Sequence, residues 1–305
     1  MARFLLKRIF HGALVLWAVA TLTFVLLHVT PGGPFDRERK LPPEVVANLE
    51  AKYQLDESLP KQYLRYVTGI LQGDLGPSYK YLDRGVNEIV RDTLPTSALL
   101  GVLAIAFALL VSLPVGLFAA YYRGSWIDRC LMMWASFGIS MPHFILGAVL
   151  IWAFALQLGW FQAGRWDTFS SAFLPTITLG AAPAAYLSAL LRSSLIEALR
   201  EDFIRTARAK GIKESLVLVK HALSHSLIPV LTVMGPLTAS LLAGSFVVEY
   251  VFAIPGMGRF FITAVTDRDY PLIMGVTLIY TALLVCANFI VDLFYGFIDP
   301  RIRTE

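Results

Sequence analysis

Charge is scarce in this chain. Asp, Glu, Lys and Arg make up 16% of its 305 residues, against about 25% in an ordinary soluble domain. Cysteine is scarcer: Cys130 and Cys286 lie far apart in apolar segments, a spacing that forms neither a disulfide framework nor a metal-ligand pattern. There is no G-x-x-x-x-G-K-[ST] phosphate loop, no G-x-S-x-G, no H-E-x-x-H and no cluster of histidines with acids. These gaps leave a P-loop ATPase and the common serine and zinc hydrolases without their chemistry, and no metal site is expected. What is abundant is apolar surface, at 56% hydrophobic residues and a mean hydropathy of +0.63. Soluble cores stop growing near this length, so the surplus reads as lipid-facing. A cytosolic enzyme, a disordered regulator and a nucleic-acid binder are all disfavoured.

Six long intervals lack Asp, Glu, Lys and Arg: Ile9–Phe35, Thr93–Tyr122, Cys130–Gly164, Thr168–Leu191, His221–Val248 and Tyr270–Val291. Each can supply the roughly 20 apolar residues that cross a bilayer. The first follows Arg3, Lys7 and Arg8 but is longer than a signal-peptide core, with no small-residue cleavage site behind it; it reads as a retained span. If the N-terminus is inside, 14 of the 26 basic residues fall on inside segments and only Arg165, Arg259 and Arg268 on the short outside loops. The remaining nine lie in the long segment 31–92, which is largely exempt from the positive-inside rule. The expected fold is therefore an all-α membrane protein with six transmembrane helices, N-in and C-in. Its divisions are residues 1–30, an extracytoplasmic segment 31–92, and a five-helix core 93–305 with a cytoplasmic loop near 192–223.

Both extramembrane segments carry patterns. Outside, Pro42-Pro43-Glu44 is a helix start, with Val45, Val46, Leu49 and Tyr53 at helical spacing. Ser58 caps a second predicted helix with Pro60 in its first turn and Leu64, Val67 and Leu71 on one face. The run Gly73-Asp74-Leu75-Gly76-Pro77-Ser78 is turn-forming. Such a segment is either a cap packed on the bundle or a docking surface for something delivered from outside. Inside, Ile196, Leu199, Phe203 and Ala207 share a helical spacing. Gly211 then allows a left-handed turn, and Ile212, Leu216, Val219 and Leu223 resume the spacing. Two short amphipathic helices hinged at Gly211 would lie on anionic lipid or insert into a groove of a cytoplasmic partner.

The spans lack paired ionisable residues, so no motor for ion-coupled transport is visible. His143, beside Pro142, is the one mid-membrane candidate, and a hydrogen-bonded structural role is the simpler reading. Pro95 and Pro114 flank the second interval, Pro175 and Pro183 lie in the fourth, and Pro229 and Pro236 in the fifth. They mark a bundle able to bend around a pathway, with Pro142 and His143 as its kink.

Four segments carry a family resemblance: Asp202-Phe203-Ile204-Arg205-Thr206-Ala207-Arg208-Ala209-Lys210-Gly211; Val248-Glu249 with Ile254-Pro255-Gly256-Met257-Gly258; Asp267-Arg268-Asp269-Tyr270-Pro271; and Asp299-Pro300-Arg301-Ile302-Arg303. With them the whole chain resembles the dipeptide/oligopeptide/nickel permease family of bacterial ABC importers, and 73–81 looks closest to the oligopeptide branch. The resemblance implies a non-enzymatic permease subunit in the bacterial inner membrane, working beside a second homologous permease. It implies two cytoplasmic P-loop ATPases that hold the ATP and Mg, and an extracytoplasmic peptide-binding protein; this chain itself would hold no cofactor. Arg205, Thr206, Ala207, Arg208, Lys210 and Gly211 would form the coupling helix that docks on an ATPase. Here Arg205 replaces the family's acidic residue, Thr206 its first alanine, and Ser224 its later proline, with Pro229 five residues on. Gly76, Pro77, Ser78, Glu249, Pro255, Gly256, Gly258, Asp267 and Asp269 would dock the binding protein or gate the outer side, although Asp269 and Pro271 could simply start the last helix. Dipeptides, nickel or glutathione are alternative substrates, and a passive channel or a membrane scaffold the alternatives from other classes.

Overall fold

The structure is a computed structural model that describes residues 2–35, 43–81, 83–242 and 246–298. Pro42 and the segment Asp299–Arg303 lie outside the described residues. In chain order the helices are α1 (Ala2–Val29), α2 (Pro43–Lys52), α3 (Leu59–Gln72), α4 (Val86–Tyr121), α5 (Trp126–Ser140), α6 (His143–Leu150), α7 (Phe169–Ala198), α8 (Asp202–Ala209), α9 (Glu214–Leu216), α10 (Leu223–Leu242), α11 (Phe246–Val251), α12 (Met257–Asp267) and α13 (Tyr270–Ile298). One-turn π segments extend α6 over Ile151–Gln157 and join α9 to α10 over Val217–Ala222. The chain is all-α among the described residues, apart from one isolated antiparallel bridge between Pro77 and Gly85.

Among the described residues five helical stretches are long and apolar enough to cross a membrane: Leu6–Val29, Val86–Tyr121, Phe169–Ala198, Glu214–Thr238 and Tyr270–Ile290. The third interval of the sequence differs. There α5 and α6 meet at a bend of 107°. Pro142 has no N–H to offer α5; instead its carbonyl accepts from Ile145 N at 3.0 Å and Leu146 N at 3.1 Å, which starts α6. The pair is one broken span or a re-entrant hairpin, so the chain has six spans if the pair counts as one. Absence of charge cannot tell a straight helix from a folded one of the same composition. Likewise Pro95 and Pro114 lie inside α4 rather than at its ends. At 36 residues that helix is about 54 Å long, well beyond a hydrocarbon core of about 30 Å.

The chain divides into two compact units, one of Met1–Ser97 with Pro255–Cys286 and the other of Ala98–Ile254 with Ala287–Glu305. In the second, α7 is the central element. Leu187, Leu191 and Leu195 are fully or almost fully buried in a core shared with Ala108 of α4, Ile204 of α8 and Val230 of α10. Close packing there needs a residue without a side chain: a Cβ on Gly180 would sit 2.7 Å from Phe107 and 2.9 Å from the Ala104 carbonyl. Small residues at helix contacts serve this purpose in membranes, where lipid tails compete on equal terms with side chains. Thr168 and Ser171 cap the start of α7 reciprocally.

Two amphipathic readings change. On α3 the expected Val67 is half-covered together with Tyr63, Tyr66 and Ile70, while Leu64 and Leu71 stand exposed. The tyrosines win that face because Tyr63 and Tyr66 pack on Phe24 of α1. Ser58 sits at the N-cap, but its side chain accepts no capping bond. The second revision concerns Ile196–Ala207, which is two helices rather than one. α7 closes at Ala198 through Arg200 N to Glu197 O and Glu201 N to Ala198 O, and α8 starts afresh, burying Ile204 and Ala207 with Phe203 partly exposed. Beyond Gly211, Leu216 and Val219 are exposed and Val217, Leu218 and Ala222 buried. The i→i+5 winding of the π turn changes which residues share a face, so the 3–4 spacing misassigned it.

One ion pair ties this unit together. Asp128 at the start of α5 is buried, and Arg192 of α7 donates to it from Nε at 2.6 Å and Nη2 at 2.7 Å. Gly124 N donates to the same carboxylate at 2.9 Å. Removing one partner of a buried pair costs about 3–5 kcal/mol. Because the Arg192 side chain is 26% exposed, Asp128→Ala is expected to cost about 3 kcal/mol, the lower limit. Adding Arg192→Met should restore most of it. Thermal unfolding of the detergent-solubilised protein checks this; equal midpoints for the wild type and Asp128→Ala would contradict it.

Candidate functional site

Two groups of sequence-predicted residues take shape, one in each unit. In the first, the turn after α3 is held by its own side chains. Asp74 Oδ1 accepts from Gly76 N at 2.9 Å, and Asn87 of α4 accepts from Leu75 N at 2.8 Å and donates to Gly73 O at 2.6 Å. Gly76 O then receives Val86 N at 2.9 Å. Ser78 and Asp269, 191 positions apart, meet here: Ser78 Oγ donates to Asp269 Oδ2. Tyr79 N donates to Oδ1 at 3.1 Å and Lys80 N to Oδ2 at 3.4 Å. The same carboxylate accepts Leu272 N at 3.3 Å and so caps α13. Asp269 therefore starts the last helix and clamps the 78–80 loop at once, and it is fully buried.

Neighbouring residues position that clamp. Arg268 adopts a left-handed φ of 58°, which ends α12 and turns the chain so that Asp269 N reaches Ala264 O at 2.9 Å. Asp267, the last residue of α12, is half-buried and stands apart from the clamp. Pro255 is exposed, while Gly256 and Gly258 are buried at the start of α12. That start is fixed by Ser97 Oγ, which accepts from the fully buried Met257 N at 2.9 Å. Glu249 lies buried in α11 of the other unit. Around the clamp, Phe24, Tyr63, Tyr66, Tyr79 and Tyr270 form an aromatic group. Burial pushes the Tyr66 phenol up to about 12, and burial together with the Asp269 charge pushes Tyr79 well above the phenol range.

The second group is the α8–α9 turn. Gly211 has a φ of +74° with no atom within 4 Å of where a Cβ would lie. Backbone conformation, not crowding, is thus what asks for glycine. Gly211 N bonds Arg208 O at 2.9 Å and Ile212 N bonds Ala207 O at 3.3 Å. Arg208 then spans the turn, donating to Glu214 from Nε at 3.0 Å and Nη2 at 2.5 Å. Arg205 meets only Asp202, at 3.3 Å and highly exposed, and Thr206 Oγ1 donates to Asp202 O at 3.0 Å. Lys210 ends the helix as an exposed residue. So Ala207 anchors the turn, Arg208 and Gly211 shape it, and Arg205, Thr206 and Lys210 face outward. Pro142 and His143 stand elsewhere, where His143 Nδ1 lies 3.1 Å from Thr178 O and ties α6 to α7.

Several working residues went unread in the sequence. Ser125-x-x-Asp128 carries a capping signature, and Asp128 N does bond Ser125 Oγ, but nothing local announces Arg192 as the partner. Ser97, Glu214 and Tyr66 carry no sequence signal. Among the described residues no three His, Cys, Asp or Glu groups gather as a metal-binding set.

Long apolar helices with one bent helix pair mark a multi-pass membrane protein. The chain belongs to the family of inner-membrane components of binding-protein-dependent transport systems. Residues 112–304 match the model of that component and residues 1–101 that of its N-terminal part. It is 45% identical to the dipeptide transport system permease protein DppB of Bacillus subtilis, across 99% of this chain and 98% of that one. It is 41% identical to the oligopeptide transport system permease protein OppB of Haemophilus influenzae, across 99% and 100%. The fold is shared with a crystallised amino acid ABC transporter bound to histidines (TM-score 0.52, 18% identity, 68% of this chain and 92% of that one). It is shared equally with the inward-facing methionine transporter MetNI (TM-score 0.52, 18%, 67% and 95%). The protein is a multi-pass permease of the bacterial inner membrane, in a family of translocation components.

Two expectations follow from the clamp. Asp269→Ala strands the N–H groups of Tyr79 and Leu272 and the Ser78 hydroxyl, at a cost of about 3 kcal/mol; limited proteolysis should then cut between residues 73 and 85, and an uncut segment would refute the clamp. The fold favours the neutral Tyr66 phenol, so the stability it adds is complete below its ordinary pKa of 10.0 and is lost as pH rises towards about 12. Ultraviolet titration should show a late-ionising phenol that Tyr66→Phe removes.

Proposed function

We propose that this chain and a second permease of the same family together form the pathway of an ATP-driven peptide importer. Both N- and C-termini lie in the cytoplasm, as the placement of basic residues favours. Residues 31–92 face outward, and residues 93–305 carry the permease core with the coupling loop near 192–223. Dipeptide and oligopeptide permeases are similarly related to it, so peptides as a class are the substrate rather than oligopeptides alone. ATP and Mg belong to two cytoplasmic ATPases, and an extracytoplasmic binding protein delivers the peptide to the face bearing Gly76, Pro77 and Asp267, with the buried Ser78–Asp269 clamp holding the 78–80 loop beneath it.

The observation that carries this reading is the α8–α9 turn. Its inner side, Ile204 and Ala207, is buried in the core around α7, and its outer side is exposed. From Glu214 the chain runs through the π turn into α10 without a loop. A short helix seated in a partner's cleft and joined rigidly to a span passes on a rigid-body push. Arg205 and Lys210 are placed to meet acidic groups at the rim of that cleft.

Reconstituted with its partners in proteoliposomes, the complex should take up labelled peptide only with ATP and binding protein; uptake without ATP would point to a channel and end this proposal. Proline fixes φ near −65°, opposite to Gly211, so Gly211→Pro should lower uptake about tenfold or more with membrane insertion retained. Arg205→Glu should uncouple ATP hydrolysis from uptake. Arg208→Glu should do so as well, and the exchange with Glu214→Arg should recover uptake, since the internal pair is rebuilt. Unchanged uptake in Gly211→Pro and Arg205→Glu together would remove the docking assignment.

A further inference from the structure

A cavity of about 320 Å³ opens within the first unit, walled by Phe24, Tyr53, Tyr66, Tyr79 and Tyr270. Its volume lies at the lower end of the roughly 300–1,000 Å³ of small-molecule sites, room for the end of a peptide and too little for a pair of acyl chains. The aromatic walls offer apolar faces. Leu55 and Met274 add to them. Charge at the site is unbalanced. Lys52 and Arg65 line the cavity against Asp74, whose Oδ1 is taken by Gly76 N. Arg65 is paired with Glu57. Lys52 forms no ion pair among the described residues and sits 5.5 Å from the centre of the Tyr53 ring.

Two polar groups in the wall contrast, Gln62 and Tyr66. Gln62 spends its amide on Leu55 O and Glu57 O and its oxygen on His28. Tyr66 Oη is buried without a hydrogen-bond partner. A buried hydroxyl lacking an acceptor costs about 1–3 kcal/mol, and an acceptor entering the cavity would relieve that cost. The carboxylate of Asp269 acts on Tyr79 of the wall, but its oxygens are already hydrogen-bonded to Ser78 and to the 79–80 backbone.

We propose that this cavity binds the C-terminal end of a peptide, seating an aromatic or large apolar side chain between the tyrosines and its carboxylate at Lys52, with Tyr66 Oη donating to a peptide oxygen. It is a site within the first unit, between the 53–79 segment and helices α1 and α13, and it favours peptides that end in a large apolar residue. The class of ligand rests on the peptide reading above; the site rests on the cavity itself.

The test is direct binding to the purified protein, with the subunits that accompany it, in nanodiscs of phosphatidylcholine. The probes are Ala-Ala-Phe as the free acid and as its C-terminal amide, measured by calorimetry without binding protein. The free acid should bind saturably and the amide about tenfold more weakly, a difference of about 1.4 kcal/mol. Lys52→Gln should reduce the difference between the two probes to less than twofold, which a merely structural lysine would not do. Tyr66→Phe should weaken both probes alike. Leu55→Trp, which fills the cavity, should abolish binding while far-ultraviolet circular dichroism shows the helices intact. Equal binding of acid and amide, or binding that survives Leu55→Trp, would overturn the proposal. So would a phospholipid that co-purifies with the wild type and is lost in Leu55→Trp, since the occupant would then be lipid. Absence of ATP-driven peptide uptake by the reconstituted complex is a separate outcome: it would end the importer reading whatever the cavity binds.

Discussion

A hydrocarbon core cannot hydrogen-bond a peptide group or solvate a charge, and the rest of this structure depends on that refusal. Backbone groups must be satisfied within each segment, so the described chain is helical almost throughout. Ionic groups that do work sit at helix ends. Asp128 opens α5 and Arg192 lies in the last turns of α7; Arg208 and Glu214 straddle a turn; Asp269 opens α13. In each case one carboxylate satisfies several donors, and for Asp128 and Asp269 these include backbone N–H groups freed where a helix starts or a loop passes. The cost of an unmet group makes these positions structural joints.

The two joints with functional meaning are built differently. The Asp269 clamp is buried and over-determined, with a serine hydroxyl, two loop N–H groups and a helix N–H on one carboxylate. It holds the 78–80 loop as a rigid feature on α13. The α8–α9 turn is anchored on one side only, by Ile204 and Ala207, and exposes the other. Its shape comes from a left-handed glycine and a surface pair, Arg208 with Glu214, which is worth little energetically in water but fixes the angle of the turn. An element held on one side and open on the other suits a partner's cleft. The π turn that follows it is a strained winding often found at functional positions.

The family's acidic position is filled here by Arg205, which turns outward with Asp202 as its only close partner. Arg208 is committed inside the chain instead. The basic outer face of the turn thus rests on Arg205 and Lys210, a narrower set than the arginine-rich sequence suggests.

Composition and charge spacing were enough to establish a helical membrane protein, the run of its long apolar stretches, and the need for a turn at Gly211. These depend on properties that accumulate along the chain or on one residue's backbone freedom. Sequence could not tell that Pro142 folds the third stretch back by 107°, because a bent and a straight helix have the same composition. Nor could it choose Tyr63 and Tyr66 over Leu64 and Leu71 as the covered face of α3, since that choice is made by Phe24, about 40 residues earlier. Asp269 was legible as the start of a helix; that it also receives Ser78 depends on two segments 191 positions apart coming together. The pairing of Asp128 with Arg192 and the seat that Ser97 gives Met257 are of the same kind. Local pattern determined which elements form, and only tertiary structure decided which donor meets which acceptor, because a hydrogen bond needs atoms within about 3 Å and sequence distance says nothing about that.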